Sequence, residues 1–198
     1  MYKFIFMERC SWANQSDLEK KYHDTEWGVP VFEDQKLFEF IILEGAQAGL
    51  SWSTILKKRE GYRKAFDNFD IQKIATYDQN KIESLQSNTD IIRNKLKIKA
   101  TVTNAIAALM LIEEFESIHN YLWEFINNKS IINNWKNVND VPATTPISDE
   151  LSKDLKKRGF KFVGSTICYA LMQAIGMVND HTTNCFRHKE CKELIQNT

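Results

Sequence analysis

Apolar positions along the chain recur at intervals of three and four residues, and strand-like alternation is scarce. Ser16-x-x-Glu19 forms a capping box that opens a short helix ending near His23. Asp34 is placed to cap a helix running to about Ala48. The spacing then predicts helices over about 51–66, 70–76, 78–86, 92–113 and 117–127. After a polar loop, 128–147, Ser148 or Asp149 caps a further helix, and a last one runs from about 164 to Gly176. With only three prolines and seven glycines and no internal repeat, the pattern predicts an all-α protein of many short helices.

One position breaks the pattern. Indexed at about 100° per residue, Leu37, Ile41, Glu44 and Ala48 share one narrow sector of the second helix, while Lys36, Glu39 and Gln47 point elsewhere. A carboxylate is thus aimed at the core, and it is followed by small residues and Trp52 in LEGAQAGLSW. Burial would raise its pKa and a cationic partner would lower it.

Composition changes the picture little. The 198 residues fit one domain, or a large lobe with a smaller one packed on it, and the formal net charge is zero. No global field announces nucleic acid, but basic clusters occur at Lys57–Arg59, Arg93–Lys99 and Lys156–Lys161. No apolar run reaches the roughly 18 residues of a membrane span, and MYKFIF is poorly shaped for a secretory signal. Met7 opens MERC, which fits an upstream extension or an alternative start. Four scattered cysteines make no disulfide framework, so a reducing cytoplasm is expected.

Those cysteines carry other chemistry. Cys10 is followed by His23 with twelve residues between, and His181 and Cys185 form H-x3-C after the last predicted helix. Together they make a two-cysteine, two-histidine set suited to tetrahedral zinc that would tie the two ends of the chain. His181, Cys185, His188 and Cys191 form a rival local set. The aromatics Trp12, Tyr22, Trp27 and Trp52 flank the acidic position and suit a flat cationic or electron-poor ring. Taken singly, each also suits a core or helix junction.

Three long segments carry a resemblance: MERCSWANQSDLEKKYHDTEWGVP, LFEFIILEGAQAGLSWSTILKKREGYRKAF and LSKDLKKRGFKFVGSTICYALMQAIGMVNDH. In this order they resemble the 3-methyladenine DNA glycosylase I family over nearly everything from Met7 to about Cys185. The resemblance implies a helix-hairpin-helix glycosylase-like fold, all-α and two-lobed, with one structural zinc joining the termini. It places the ligands on Cys10, His23, His181 and Cys185 and leaves His188 and Cys191 as bystanders. One glycosylase domain would then span 7–188, with an extension at 1–6 and a tail at 189–198.

The resemblance further implies base recognition by Glu44 and Tyr22, with Trp52 stacking and Trp12 and Trp27 near the pocket; Glu44 is also the candidate for any catalytic role. The hairpin candidate, Leu85 to Ala100, contains no glycine and is followed by no clear G-x-D segment. That agrees with a branch whose leaving group departs neutral and needs no general acid. Arg93, Lys95 and Lys97 are candidate phosphate contacts, the small-residue stretch through Gly49 a close-approach surface, and Leu50 a candidate plug for the gap left by a flipped base. The expected partners are double-stranded alkylated DNA and free 3-methyladenine as product, with no membrane, in a monomeric bacterial cytoplasmic protein. A lesion-binding protein without turnover and a zinc-stapled helical interaction module are the competing expectations.

Overall fold

The computed structural model describes residues 8–196; the extension read at 1–6 lies outside the described residues. A 3₁₀ turn, Ser11–Gln15, leads into α1 (Asp17–Thr25), α2 (Asp34–Gln47) and α3 (Trp52–Ala65). The short helices α4 (Ile71–Ala75) and α5 (Gln79–Ser87) precede the long α6 (Lys95–Phe115) and α7 (Ile118–Glu124). After a loop come α8 (Pro146–Lys157), α9 (Ser165–Ala174) and α10 (Phe186–Gln196).

Helix α2 is the hub, packed against α3, α6, α7 and α9. Every residue from Leu37 to Ala46 is buried, so the single apolar sector expected from the sequence is not how this helix sits. Glu39, expected to point away from the core, is buried as well, where it pairs with Arg59, Arg63 and Lys36. A helix enclosed on all sides has no polar face to index against.

Helix starts follow their capping residues. Ser16 accepts from the Glu19 N–H, but the expected capping box is only half formed, because the Glu19 carboxylate takes the Ser16 hydroxyl at 2.7 Å and not its N–H; α1 also runs two residues past His23, to Thr25. Asp34 caps a different helix from the one expected: its carboxylate accepts from the Ile118 N–H at 2.8 Å, at the start of α7. Helix α8 is capped by Thr145, not by Ser148 or Asp149, because Thr145 and Ser148 form a reciprocal capping box with Pro146 between them. Asn94 delays α6 to Lys95 by accepting from the N–H groups of Leu96 and Lys97.

Helix α9 ends at Ala174, two residues short of Gly176, which follows with φ +76° and an N–H donated back to the Gln173 carbonyl. A Cβ there would fall 2.4 Å from the backbone nitrogen of Pro30, so only glycine admits this crossing. Among the described residues the only sheet is a parallel pair, β1 (Ile131–Ile132) with β2 (Val178–Asn179), in the register Ile131↔Val178.

Residues 189–196, read as tail, are helical. Helix α10 was not predicted because it buries only Arg187 and Cys191 and so lacks an apolar stripe. Tertiary hydrogen bonds hold it: Phe186 N–H to Glu8 O at 3.1 Å, and His188 Nε2–H to Asn133 O at 2.8 Å. No helix among the described residues is long and apolar enough to cross a membrane.

Candidate functional site

Two adjacent residues on α1 face two different features. His23 turns toward the end of the chain and Tyr22 toward a cleft, and both are buried.

Around His23, the ligand-type atoms of Cys10, His23, His181 and Cys185 all lie within 4.8 Å of one another, fully enclosed. Cys185 Sγ is 3.3 Å from His23 Nε2 and 3.6 Å from His181 Nδ1, and Cys10 Sγ is 3.6 Å from His181 Nδ1. The outer ring nitrogens are tied back: His23 donates from Nδ1 to Asp24 at 2.8 Å, and His181 from Nε2 to the Trp27 carbonyl at 3.0 Å. Asp24 is itself held by Arg9. This leaves His23 Nε2 and His181 Nδ1 unprotonated and facing the thiols. The closeness of the two thiols, with burial, pushes Cys10 up, and the same closeness, with help from His181 and His23, holds Cys185 down. The group could hold a metal ion. The rival local set is not assembled: His188 docks on Asn133, and Cys191 lies against the Trp27 carbonyl.

Tyr22 opens onto a cleft of about 510 Å³. Trp12, Tyr22, Trp27, Glu44 and Trp52, all singled out in the sequence, line this one cavity. Their rings form a chain: Trp27 meets Trp12 edge-on at 5.1 Å, Trp12 lies 6.4 Å from Tyr22, and Tyr22 lies 5.2 Å from Trp52. The Trp52 indole N–H is buried and lacks a partner among the described residues.

No lysine or arginine is among the lining residues, whereas Glu19, Glu44 and Asp180 are. The Glu44 carboxyl has no hydrogen bond or ion pair among the described residues. Burial raises its pKa to about 8, against a weaker opposing pull from Arg59. Tyr22 is pushed well above the ordinary phenol range, first by burial and then by Glu44. The cavity therefore disfavours anions and favours flat cations.

Sequence reasoning missed the α9 side of the cleft. Asp180, buried beyond β2, accepts four hydrogen bonds: from Asn133 and Trp135 on one oxygen, and from Tyr169 and Gln173 on the other, at 2.6–2.8 Å. Tyr169 and Gln173 also line the cavity. Their i, i+4 spacing on α9 and the VNDH segment were the available signals.

The expected DNA contacts separate into two groups. Leu50 is exposed on the turn between α2 and α3, beside Gly49 at φ +78°, and Arg93 and Lys95 are exposed at the start of α6. Lys97 is only partly exposed, and its ammonium donates to the carbonyls of Ala46 and Ala48.

The sequence and the fold match one family. The methyladenine glycosylase family model covers residues 12–188, and the chain belongs to that family. It is 49% identical over 179 residues to DNA-3-methyladenine glycosylase 1 of Escherichia coli, covering 90% of this chain and 96% of that protein. The DNA-3-methyladenine glycosylase of Haemophilus influenzae is 48% identical over 177 residues, covering 89% and 96%. A solved structure of 3-methyladenine DNA glycosylase I superposes with a TM-score of 0.88 at 51% identity, over 90% of this chain and 98% of that one. Another, the Staphylococcus aureus enzyme solved to explain its recognition of 3-methyladenine, gives 0.88 at 32% identity, over 91% and 96%.

Proposed function

We propose that the protein excises 3-methyladenine from alkylated DNA, leaving an abasic site for base excision repair. The observation that carries this reading is the cleft itself: aromatic faces and buried acids with no lysine or arginine in the lining. Methylation at N3 gives adenine a positive charge and weakens its bond to the sugar. Such a base is easier to extrude from the stack, and it meets a cavity that favours it over neutral adenine.

Glu44 supplies discrimination through its protonation. With its pKa at about 8, the carboxyl is mostly neutral at pH 7. An entering cation stabilises the ionised form, so negative charge develops where the lesion sits and not in its absence. Tyr22 and Trp52 then fix the ring plane. The base leaves as a neutral molecule, so no general acid is required, and positioning and desolvation support the developing positive charge on the sugar. Glu44 acts first in recognition. A Schiff-base route needs a lysine amine at the sugar, and no strand cleavage is expected.

The cysteine–histidine group fits zinc. Bonds of about 2.3 Å to sulfur and 2.0 Å to nitrogen in a tetrahedron put S and N about 3.5 Å apart, against 3.3–3.6 Å here. Four protein donors leave no position for water, so zinc here would fasten the fold and take no part in hydrolysis. Double-stranded DNA would approach over Gly49 and Leu50, with Leu50 filling the gap left by the extruded base and Arg93 and Lys95 on phosphates.

The decisive experiment incubates the protein with methylated DNA and identifies released bases by chromatography. Release of 3-methyladenine above the spontaneous rate is expected. Its absence with folded protein would favour a binding role without turnover.

A further inference from the structure

The turn that carries Gly49 and Leu50 is flanked on both sides by contacts to the helical hairpin of α5, α6 and the turn between them. Upstream of it, α2 ends with carbonyls that have no helical partner. The Lys97 ammonium, one turn into α6, sits 2.8 Å from the Ala46 carbonyl and 2.7 Å from that of Ala48. A cation is favourably placed at this negative end of α2. Downstream, α3 is fixed to the turn between α5 and α6: Lys58 donates to the Thr89 carbonyl at 2.7 Å. Gly61 lies so close that a Cβ on it would fall 2.2 Å from the Asp90 oxygen.

Lys97 differs from its basic neighbours. Arg93 and Lys95 are exposed, whereas the Lys97 ammonium lies 6.0 Å from the Phe162 ring centre, and no carboxylate pairs with it among the described residues. Asn94 accepts from the Lys97 backbone N–H and so sets the residue's place on the first turn of α6. Gly45, Ala46 and Phe162 lie around it, and a planar guanidinium would not present the compact charge of the ammonium to both carbonyls.

We propose that Lys97 is a positioning residue that clamps the end of α2 to the helical hairpin and thereby sets the Gly49–Leu50 turn for lesion-containing DNA. Its role in lesion processing rests on the glycosylase activity proposed above; the clamp does not. A side chain in this role is already engaged by the protein and contributes no phosphate contact of its own.

The test compares Lys97→Met and Lys97→Arg with the wild type. It reads single-turnover release of 3-methyladenine at saturating enzyme, the salt dependence of DNA binding, and hydrogen exchange across residues 48–52. The clamp predicts faster exchange there in both variants, with release slowed about tenfold or more by the misplaced turn and an unchanged slope of log affinity against log salt. A phosphate contact would instead lower that slope by about one in Lys97→Met and leave Lys97→Arg active, which would overturn the proposal. Unchanged exchange, or faster exchange with normal release, would also overturn it. If the wild type itself releases no base, the glycosylase reading fails, while faster exchange in Lys97→Met still supports the clamp.

Discussion

Arg59 donates from Nε to Glu39 at 2.6 Å and from both terminal nitrogens to Glu26, so the guanidinium whose field reaches Glu44 is already engaged elsewhere. Glu44, further along α2, is left buried and unpaired, and this sets its chemistry. Its pKa rises from an ordinary value near 4.5 to about 8. The stability linked to this group is fully present below about pH 4.5 and is lost as pH rises through 8. Thermal melts from pH 5 to 8.5 should therefore show a declining contribution that Glu44→Gln abolishes. The same substitution should weaken binding of free 3-methyladenine by about 2 kcal/mol, roughly thirtyfold, with little loss of melting temperature. Equal losses in both would return Glu44 to a structural role.

Glu39→Gln should behave in the opposite way. Removing one member of a buried ion pair costs about 3–5 kcal/mol, measurable by urea denaturation. Arg59 would be partly released toward Glu44, so the Glu44 carboxyl should titrate below 8, as carbon-13 NMR can follow.

Elemental analysis should find about one zinc per chain, as for a single tetrahedral site. Cys10→Ser should largely remove it. Cys191→Ser should not, because that thiol faces the Trp27 carbonyl at 3.9 Å and not the cluster. Loss of metal in the second variant alone would overturn the ligand assignment.

Leu50 is 40% exposed, so truncation to alanine should cost little stability. If it fills the gap behind an extruded base, Leu50→Ala should slow release of 3-methyladenine from duplex DNA and leave binding of the free base unchanged. A normal rate on duplex DNA would assign the gap-filling role to another side chain.

What the sequence revealed followed the physics of each residue type. Cysteine and histidine spacing exposed two possible metal sets, and the fold assembled the split one. The aromatics beside Glu44 were legible because large rings near a buried acid are conspicuous. Asp180, Tyr169 and Gln173 were not, because a carboxylate satisfied by four neutral donors resembles any other aspartate until its partners are placed. Helix α10 escaped because hydrogen bonds to Glu8 and Asn133, and not an apolar stripe, hold it. Lys97 read as one of several basic residues, and only the carbonyls of Ala46 and Ala48 set it apart.

The cleft draws one side from Trp12, Tyr22, Glu44 and Trp52 and the other from Tyr169, Gln173 and Asp180. During synthesis these surfaces emerge far apart in time, and the second arrives only after most of the chain has been made. A nascent chain that ends before α9 has made Trp12, Tyr22, Glu44 and Trp52 but none of the facing side, Tyr169, Gln173 and Asp180. Competence for the lesion is therefore acquired last, and truncation near the C-terminal end should abolish it well before it abolishes helicity.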